Sequence, residues 1–283
     1  MASLALTEFT DPACPYAFSA EPQRRRLEWL YGDQLDWTIR MVVLREPGDS
    51  PPFSTERHAQ ALTRVRDSYG MPIDPRERPR LAATEPACRA VVAARLRAGR
   101  DAQRALLRRL RVLDMTGELI DEPEVIDRAA REAGLTPESL RAWMQEDEVH
   151  AALREDMAAA RRPSREGRAL GHKLGCSGDI ERYTCPSYLL ECGGRQFTVP
   201  GFQPIEAYEV AIANLAPHLQ RRDAPESVDE VLAWAGEPLS TAEVAAVCEI
   251  DPDEARTQLA RVAELEPVGA DGYWAPGALR RAA

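Results

Sequence analysis

The opening 44 residues constrain this chain most. Ser3 to Phe9 alternates apolar and polar side chains, the period of a half-buried strand. Asp11-Pro12-Ala13-Cys14-Pro15 breaks that pattern. A helix is expected from Pro15 to Tyr31. Pro15 suits its first turn, where a missing N–H costs no hydrogen bond. Gly32-Asp33 closes the helix, and Leu35 to Leu44 reads as a second strand, half alternating and half continuously apolar, as in a buried strand. The order is therefore strand, sharp break, Cys-Pro, helix, strand, an α/β opening with a cysteine at the start of its first helix.

That position has chemical consequences. A cysteine at a helix N-terminus faces unbonded backbone N–H groups and the positive end of the helix dipole. Both favour thiolate over thiol, and the thiolate is the nucleophile. The competing reading is a small buried hydrophobe, a common role for cysteine.

The Pro/Gly/Ser stretch from Glu46 to Ser54 ends the opening unit. Signals from Thr55 to about Arg165 are helical. Leu106, Leu107, Leu110 and Leu113 share one helix face, Asp121-Glu122-Pro123-Glu124 resembles a helix start, and Thr136-Pro137 begins another helix carrying Leu140 and Trp143. Strand character returns at Ser187 to Glu191. Gly193-Gly194 turns the chain, and Arg195 to Val199 returns as the second arm of a hairpin. Gln203 to Leu219 is a helix and Arg221 to Glu226 a polar linker. Helices follow at Val228 to Ala235, Thr241 to Cys248 and Asp253 to Leu265, and Val268 to Trp274 forms a wing.

Length and charge bound the function. The 283 residues suit about two domains, and the net charge of −10 argues against general affinity for nucleic acid or acidic membranes. From Ala224 onward there are 12 acidic and 4 basic residues, so packing or partner binding outweighs DNA binding for the winged segment. The first residues, MASLALTEFTDPACPYAF, lack a basic n-region, and no apolar run reaches a membrane-spanning length of about 18 residues. A cytoplasmic setting is expected. The six cysteines are then buried, catalytic or metal-binding more readily than disulfide-bonded.

Thr10-Asp11-Pro12-Ala13-Cys14-Pro15-Tyr16-Ala17-Phe18 resembles the active-site segment of the DsbA-like branch of the thioredoxin superfamily, particularly its FrnE-like members. GELIDEPEVIDRAAREAGL resembles the end of that family's inserted helical domain. Cys185-Pro186-Ser187-Tyr188 matches its cis-proline loop, and Pro200-Gly201-Phe202-Gln203-Pro204 precedes the last helix. The resemblance covers Leu4 to Leu219. It implies a thioredoxin-like fold, residues 1–53 and 168–222, interrupted by a helical insertion, 54–167. The winged-helix-like C-terminal domain, 223–283, lies outside the family pattern. By resemblance Cys14 is the attacking sulfur, Pro186 the facing cis-proline, and Pro15, Tyr16 and Ala17 complete the substrate-facing motif. The substrate is a protein or small-molecule disulfide or an electrophile. No resident cofactor is implied, although a small thiol such as glutathione or mycothiol is a possible co-substrate. The oligomeric state stays open.

Ala17 departs from the family: a Cys-X-X-Cys motif has its resolving thiol there, and alanine cannot attack a mixed disulfide. Three arrangements remain. Cys185 replaces the missing thiol. Alternatively, Cys14 works alone with a small thiol, as in glutathione-transferase-like chemistry of the kappa class or an isomerase. Or the site is degenerate and only binds. Other features favour plain roles. His172, Cys176 and Cys185 lack a recognised zinc spacing. Cys88 and Cys248 read as core, and Cys192 as exposed beside a turn. Tyr16 faces either the substrate groove or the inserted helices. Asp11 and Glu21 read as solvated or helix-capping rather than proton-transferring. Arg97, Arg100, Arg104, Arg108 and Arg111 read as a solvated helix face, with an anion-binding groove as the alternative.

Overall fold

The computed structural model describes residues 3–276. In chain order the elements are β1 (Leu4–Thr10), α1 (Pro15–Ser19), α2 (Glu21–Tyr31), β2 (Leu35–Met41), α3 (Thr55–Tyr69), α4 (Glu85–Ala98), α5 (Arg100–Met115), α6 (Pro123–Glu132), α7 (Pro137–Trp143), α8 (Asp147–Ala160), α9 (Arg165–Ala169), β3 (Leu174–Ser177), β4 (Ile180–Tyr183), β5 (Ser187–Cys192), β6 (Arg195–Val199) and α10 (Ile205–Leu215). They continue with α11 (Val228–Ala235), β7 (Leu239–Ser240), α12 (Thr241–Cys248), α13 (Pro252–Val262), β8 (Ala263–Val268) and β9 (Asp271–Pro276).

The central sheet has the order β2-β1-β5-β6. β1 and β2 run parallel, from Leu4 beside Leu35 to Thr10 beside Met41. β5 runs antiparallel to β1 and pairs Ser187 with Phe9. This arrangement sets the site: the chain leaves β1 towards Cys14 at the same end of the sheet where it enters β5 from Cys185.

Two cores flank the sheet. One joins Leu4, Leu6, Trp37 and Leu190 to α2, α10 and the C-terminal elements through Val228, Val244, Leu259 and Trp274. The other joins Ile39 and Met41 to α4, α5 and α6 through Val91, Leu106, Leu110 and Ile126. The helical segment and the C-terminal unit therefore each bury apolar surface against the sheet. Hydrogen-bonded caps mark several ends. Ser54 starts α3, Gly70 in the left-handed region ends it, and Ser240 with Glu243 forms a capping box at α12.

Several expected boundaries shift for identifiable reasons. The helix expected over Pro15–Tyr31 divides at Ala20, because Pro22 in the first turn of α2 supplies no N–H to continue the α1 ladder. β2 stops at Met41, since Val43 adopts φ 57°, outside strand geometry. The last helix ends at Val262 rather than Leu265, as Ala263 is extended and opens β8. The wing is correspondingly larger than Val268–Trp274. The hairpin of β3 and β4 was not expected: LGCS and IERY are short and carry no clear apolar alternation. The outermost parts of the expected first and last units, residues 1–2 and 277–283, lie outside the described residues.

Candidate active site

Cys14 sits immediately before α1 in extended conformation, with Pro15 opening the helix. Its N–H donates to the Asp11 carbonyl at 3.2 Å, closing the turn after β1, and its own carbonyl accepts from Phe18. Asp11 holds this turn from beneath. One carboxylate oxygen accepts from Ala13 N–H at 2.9 Å. The other accepts from Leu44 N–H at 2.9 Å and from the Thr84 hydroxyl at 2.7 Å, with the Cys88 thiol at 3.5 Å. Thr84 in turn accepts from Leu44 and Arg45 N–H. One carboxylate thus ties the Cys14 turn to the end of β2 and the start of α4. Asp11 is fully buried, so the expected solvated role is corrected: apart from Ala13, its partners come from segments far away in sequence.

Cys185 approaches from the other strand. Thr184 donates its hydroxyl to Lys173 O at 2.7 Å, and Ser187 bridges Thr184 O and Gly201 N–H. These bonds hold a cis Cys185–Pro186 peptide at the entrance to β5. The two cysteines are 171 positions apart, yet the Cys14 thiol donates to Cys185 O at 3.3 Å. Both are free thiols, 7% and 6% exposed, and share an apolar cluster with Phe9, Ala17, Val42, Ala160 and Tyr183. Phe9 and Tyr183 stack at 4.5 Å beneath them.

The pair is electrostatically unequal. A hydrogen bond from the Cys185 thiol is the main cause lowering the Cys14 pKa. Burial opposes it, the Ala17 and Tyr16 N–H groups assist, and the Asp11 charge opposes. Burial, the bond to Cys14 and the Cys14 charge push Cys185 well up. Of the two thiols Cys14 therefore ionises the more readily, the order that an attacking sulfur beside a resolving one requires.

Other expected residues find definite surroundings. Ala17 is buried against the thiol pair. Tyr16 is 45% exposed and meets Tyr69 at 6.2 Å and Phe202 at 6.4 Å, edge to face. It therefore contacts the end of α3 while remaining open to solvent. Cys88 is fully buried, Cys176 exposed, and Cys192 and Cys248 half-buried. Among the described residues no group of three or more His, Cys, Asp or Glu could hold a metal.

The expected solvated arginine face is corrected in part. Arg108 and Arg111 are buried. Arg111 pairs with Glu8 at 2.9 Å and with Glu21, while Arg108 pairs with Glu243 at 2.8 Å. Burial works against a charged Glu21, but Arg111, Arg24 and Arg108 outweigh it and hold the carboxyl at about 2. Glu21 is thus a buried ionic partner, not a solvated residue or a proton donor. Sequence reasoning also missed Val43, Leu44 and Arg45. The apolar run ending β2 gives no sign that Val43 enters the left-handed region, which β-branched residues rarely occupy.

A four-stranded mixed sheet, a Cys-Pro helix start and a facing cis-proline loop define a thioredoxin-like protein. The profile of the DSBA-like thioredoxin domain matches residues 5–167, and the chain belongs to that family. No curated protein matches. Among the solved structures that share the fold are the following three. A candidate protein disulfide isomerase from Nitrosomonas europaea is 20% identical, with TM-score 0.60 over 76% of this chain and 99% of its own. The cytosolic disulfide reductase DsbM from Pseudomonas aeruginosa is 20% identical, with TM-score 0.55 over 75% and 100%. A probable DsbA oxidoreductase from Streptomyces coelicolor is 18% identical, with TM-score 0.53 over 78% and 93%. Among the described residues no helix is long and apolar enough to cross a membrane.

Proposed function

We propose that this protein is a thiol–disulfide oxidoreductase in which Cys14 attacks and Cys185 resolves. The observation that carries the reading is the hydrogen bond from the Cys14 thiol to the Cys185 main-chain carbonyl, which brings the two cysteines together where β1 ends and β5 begins, with the Cys14 pKa lowered and the Cys185 pKa raised. The Cys14 thiolate attacks one sulfur of a substrate disulfide. That S–S bond breaks, the other half leaves as a thiolate and takes a proton, and Cys14 is held in a mixed disulfide. Cys14 is then neutral, which removes two of the causes that raise Cys185. Cys185 loses its proton and attacks the Cys14 sulfur, releasing the second substrate thiol and leaving a Cys14–Cys185 disulfide. A dithiol or two small-molecule thiols then return two electrons to the pair.

Ala17 leaves Cys185 as the thiol placed for the resolving step. Pro15, Tyr16 and Pro186 border the approach to Cys14 and would contact the substrate. A reducing, cytoplasmic setting suits a resting state of two free thiols. The order helix, short strand, two helices and β-hairpin over residues 228–276 supports a winged-helix-like unit. Its shared core with the sheet and its acidic balance favour a packing role over nucleic-acid binding.

Reduction of insulin or a model disulfide tests the reading. Cys14→Ser should abolish turnover. Cys185→Ser should retain the first attack and accumulate a Cys14 mixed disulfide detectable by mass spectrometry. Wild-type turnover by Cys14→Ser would overturn the assignment of the attacking sulfur. Wild-type turnover by Cys185→Ser would overturn the resolving role.

A further inference from the structure

A cavity of about 290 Å³ is walled in part by the turn that precedes Cys14. Ala13, the neighbour of Cys14, forms part of its wall, and so does Arg182, the neighbour of Tyr183 in the thiol cluster. The cavity thus shares wall residues with the segments that carry the thiols, while neither cysteine itself lines it. Its size lies near the lower limit of small-molecule sites and leaves no room for a folded protein segment.

Its lining combines positive charge with flat apolar surface. Arg45, Arg78 and Arg182 contribute three guanidinium groups, and Asp114 one carboxylate. Arg78 uses that carboxylate at 3.3 Å. Arg182 donates to Tyr183 O and Ser177 rather than to an acid. The half-buried Arg45 guanidinium has no ion-pair partner among the described residues. Arg78 is buried, yet its Nε has no hydrogen-bond partner, nor has the buried Nε2 of His58. Phe53 stacks on His58 at 5.8 Å, with an angle of 9° between the rings, and Leu81 and Pro52 extend the apolar wall. Burial and the Arg78 and Arg45 charges hold His58 at about 4, so the ring is neutral near pH 7 and leaves the positive field to the arginines. An unsatisfied buried guanidinium donor, Arg78 Nε, in a net cationic cavity calls for an acceptor from outside the chain.

We propose that this cavity binds the carboxylate-bearing arm of a small aromatic or apolar disulfide and so selects anionic small-molecule disulfides for attack by Cys14. The proposal rests on the thiol reading above and names its substrate class. Arg45 and Arg78 receive the carboxylate, and Phe53 with its apolar neighbours packs against the flat portion. The backbone supports this placement. Val43 in the left-handed region turns the chain so that Leu44 N–H reaches Asp11 and Arg45 lines the cavity.

Two aromatic disulfides of opposite character test it. 5,5′-Dithiobis(2-nitrobenzoate) carries two carboxylates, and 2,2′-dithiodipyridine is neutral. Their rate constants with the reduced protein are read on the Cys14 peptide by quenched mass spectrometry, which separates Cys14 from exposed Cys176. Arg45→Gln should lower the anionic-to-neutral rate ratio about tenfold, the loss of one charge-assisted hydrogen bond, and Arg45→Glu should lower it further. A change in Cys14 acidity would move both rates together and leave the ratio intact. An unchanged ratio in both variants would overturn the proposal. A second readout does not need the thiol: calorimetric titration of benzoate into Cys14→Ser protein, with and without Arg45→Glu. Binding lost with Arg45→Glu supports the cavity even if Cys14 reacts with neither disulfide, in which case the oxidoreductase reading fails by itself. Benzoate binding that ignores Arg45, or no binding at millimolar concentration, overturns the cavity assignment.

Discussion

Mild oxidation of the reduced protein should join Cys14 to Cys185, and the linkage should stabilise the fold measurably. The bond would close a loop spanning 171 positions. Chain-entropy arguments put the restriction of the unfolded state at about 5 kcal/mol for a loop of this size. That figure is a ceiling, because any displacement needed to bring the sulfurs to bonding distance subtracts from it. With a urea dependence of about 3 kcal/mol per molar, the unfolding midpoint would rise by up to about 1.7 M. Oxidised and reduced protein are compared by urea titration, and the linkage is mapped by mass spectrometry on the same samples. Cys14→Ser and Cys185→Ser should each remove the oxidation-dependent shift. The reasoning is refuted if both cysteines stay open to alkylation after oxidation and the midpoint does not move. A shift that survives in Cys185→Ser would place the cross-link elsewhere.

Further expectations concern the residues around the pair. Glu21→Gln should destabilise the protein by about 3 kcal/mol near neutral pH, because Arg111 loses a buried partner. Holding Glu21 at about 2 against an ordinary 4.5 gives stability that is complete above pH 4.5 and lost as pH falls towards 2. Denaturant titrations of both proteins should therefore converge over that interval, and a constant gap would contradict the pairing. Asp11→Asn should shift the pH profile of Cys14 alkylation to lower pH, since the Asp11 charge opposes the thiolate. The same variant should lose about 1–3 kcal/mol of stability, because the amide cannot accept from every donor Asp11 satisfies. An alkylation profile moved upward would show Asp11 favouring the thiolate instead. Ala17→Cys should divert part of the oxidised protein from the Cys14–Cys185 linkage to one within α1, seen by peptide mapping; an undiminished Cys14–Cys185 fraction would show that the helix position cannot compete.

Much of the framework is legible locally. The alternation before Asp11, the Cys-Pro break and the capping residues act over a few residues, so short windows contain their cause. Long-range partners are not contained there. Arg108 and Arg111 fall on a helical repeat with three exposed or half-buried arginines, and the carboxylates that bury them lie on β1, α2 and α12. Asp11 looks like a turn residue because the donors it accepts from, Leu44 N–H and the Thr84 hydroxyl, become visible only in three dimensions. The nearness of Cys14 to Cys185 came from the family resemblance, not from spacing, and depends on β5 pairing antiparallel with β1. Arg45 carried no signal at all: its place in the cavity wall follows from a backbone turn at Val43 that an apolar run conceals.

A resolving role for Cys185 would put the second thiol on another element and change what the redox state can report. In a Cys-X-X-Cys motif both sulfurs ride on one helical turn, so oxidation is a local event. Here one sulfur belongs to the turn after β1, fixed by Asp11, and the other to the loop before β5, fixed by Thr184 and Ser187. Asp11 also grips the end of β2 and the first residues leading into α4. Any movement that closes the sulfurs must therefore pull against hydrogen bonds at this end of the sheet and in the inserted helices together. The Cys14–Cys185 bond would register the relative position of those loops, and Arg45 sits on the segment that Asp11 holds. Substrate binding at the cationic cavity and formation of the disulfide would then bear on the same carboxylate clamp, so the Asp11→Asn variant should weaken the dependence of the anionic-to-neutral rate ratio on Arg45.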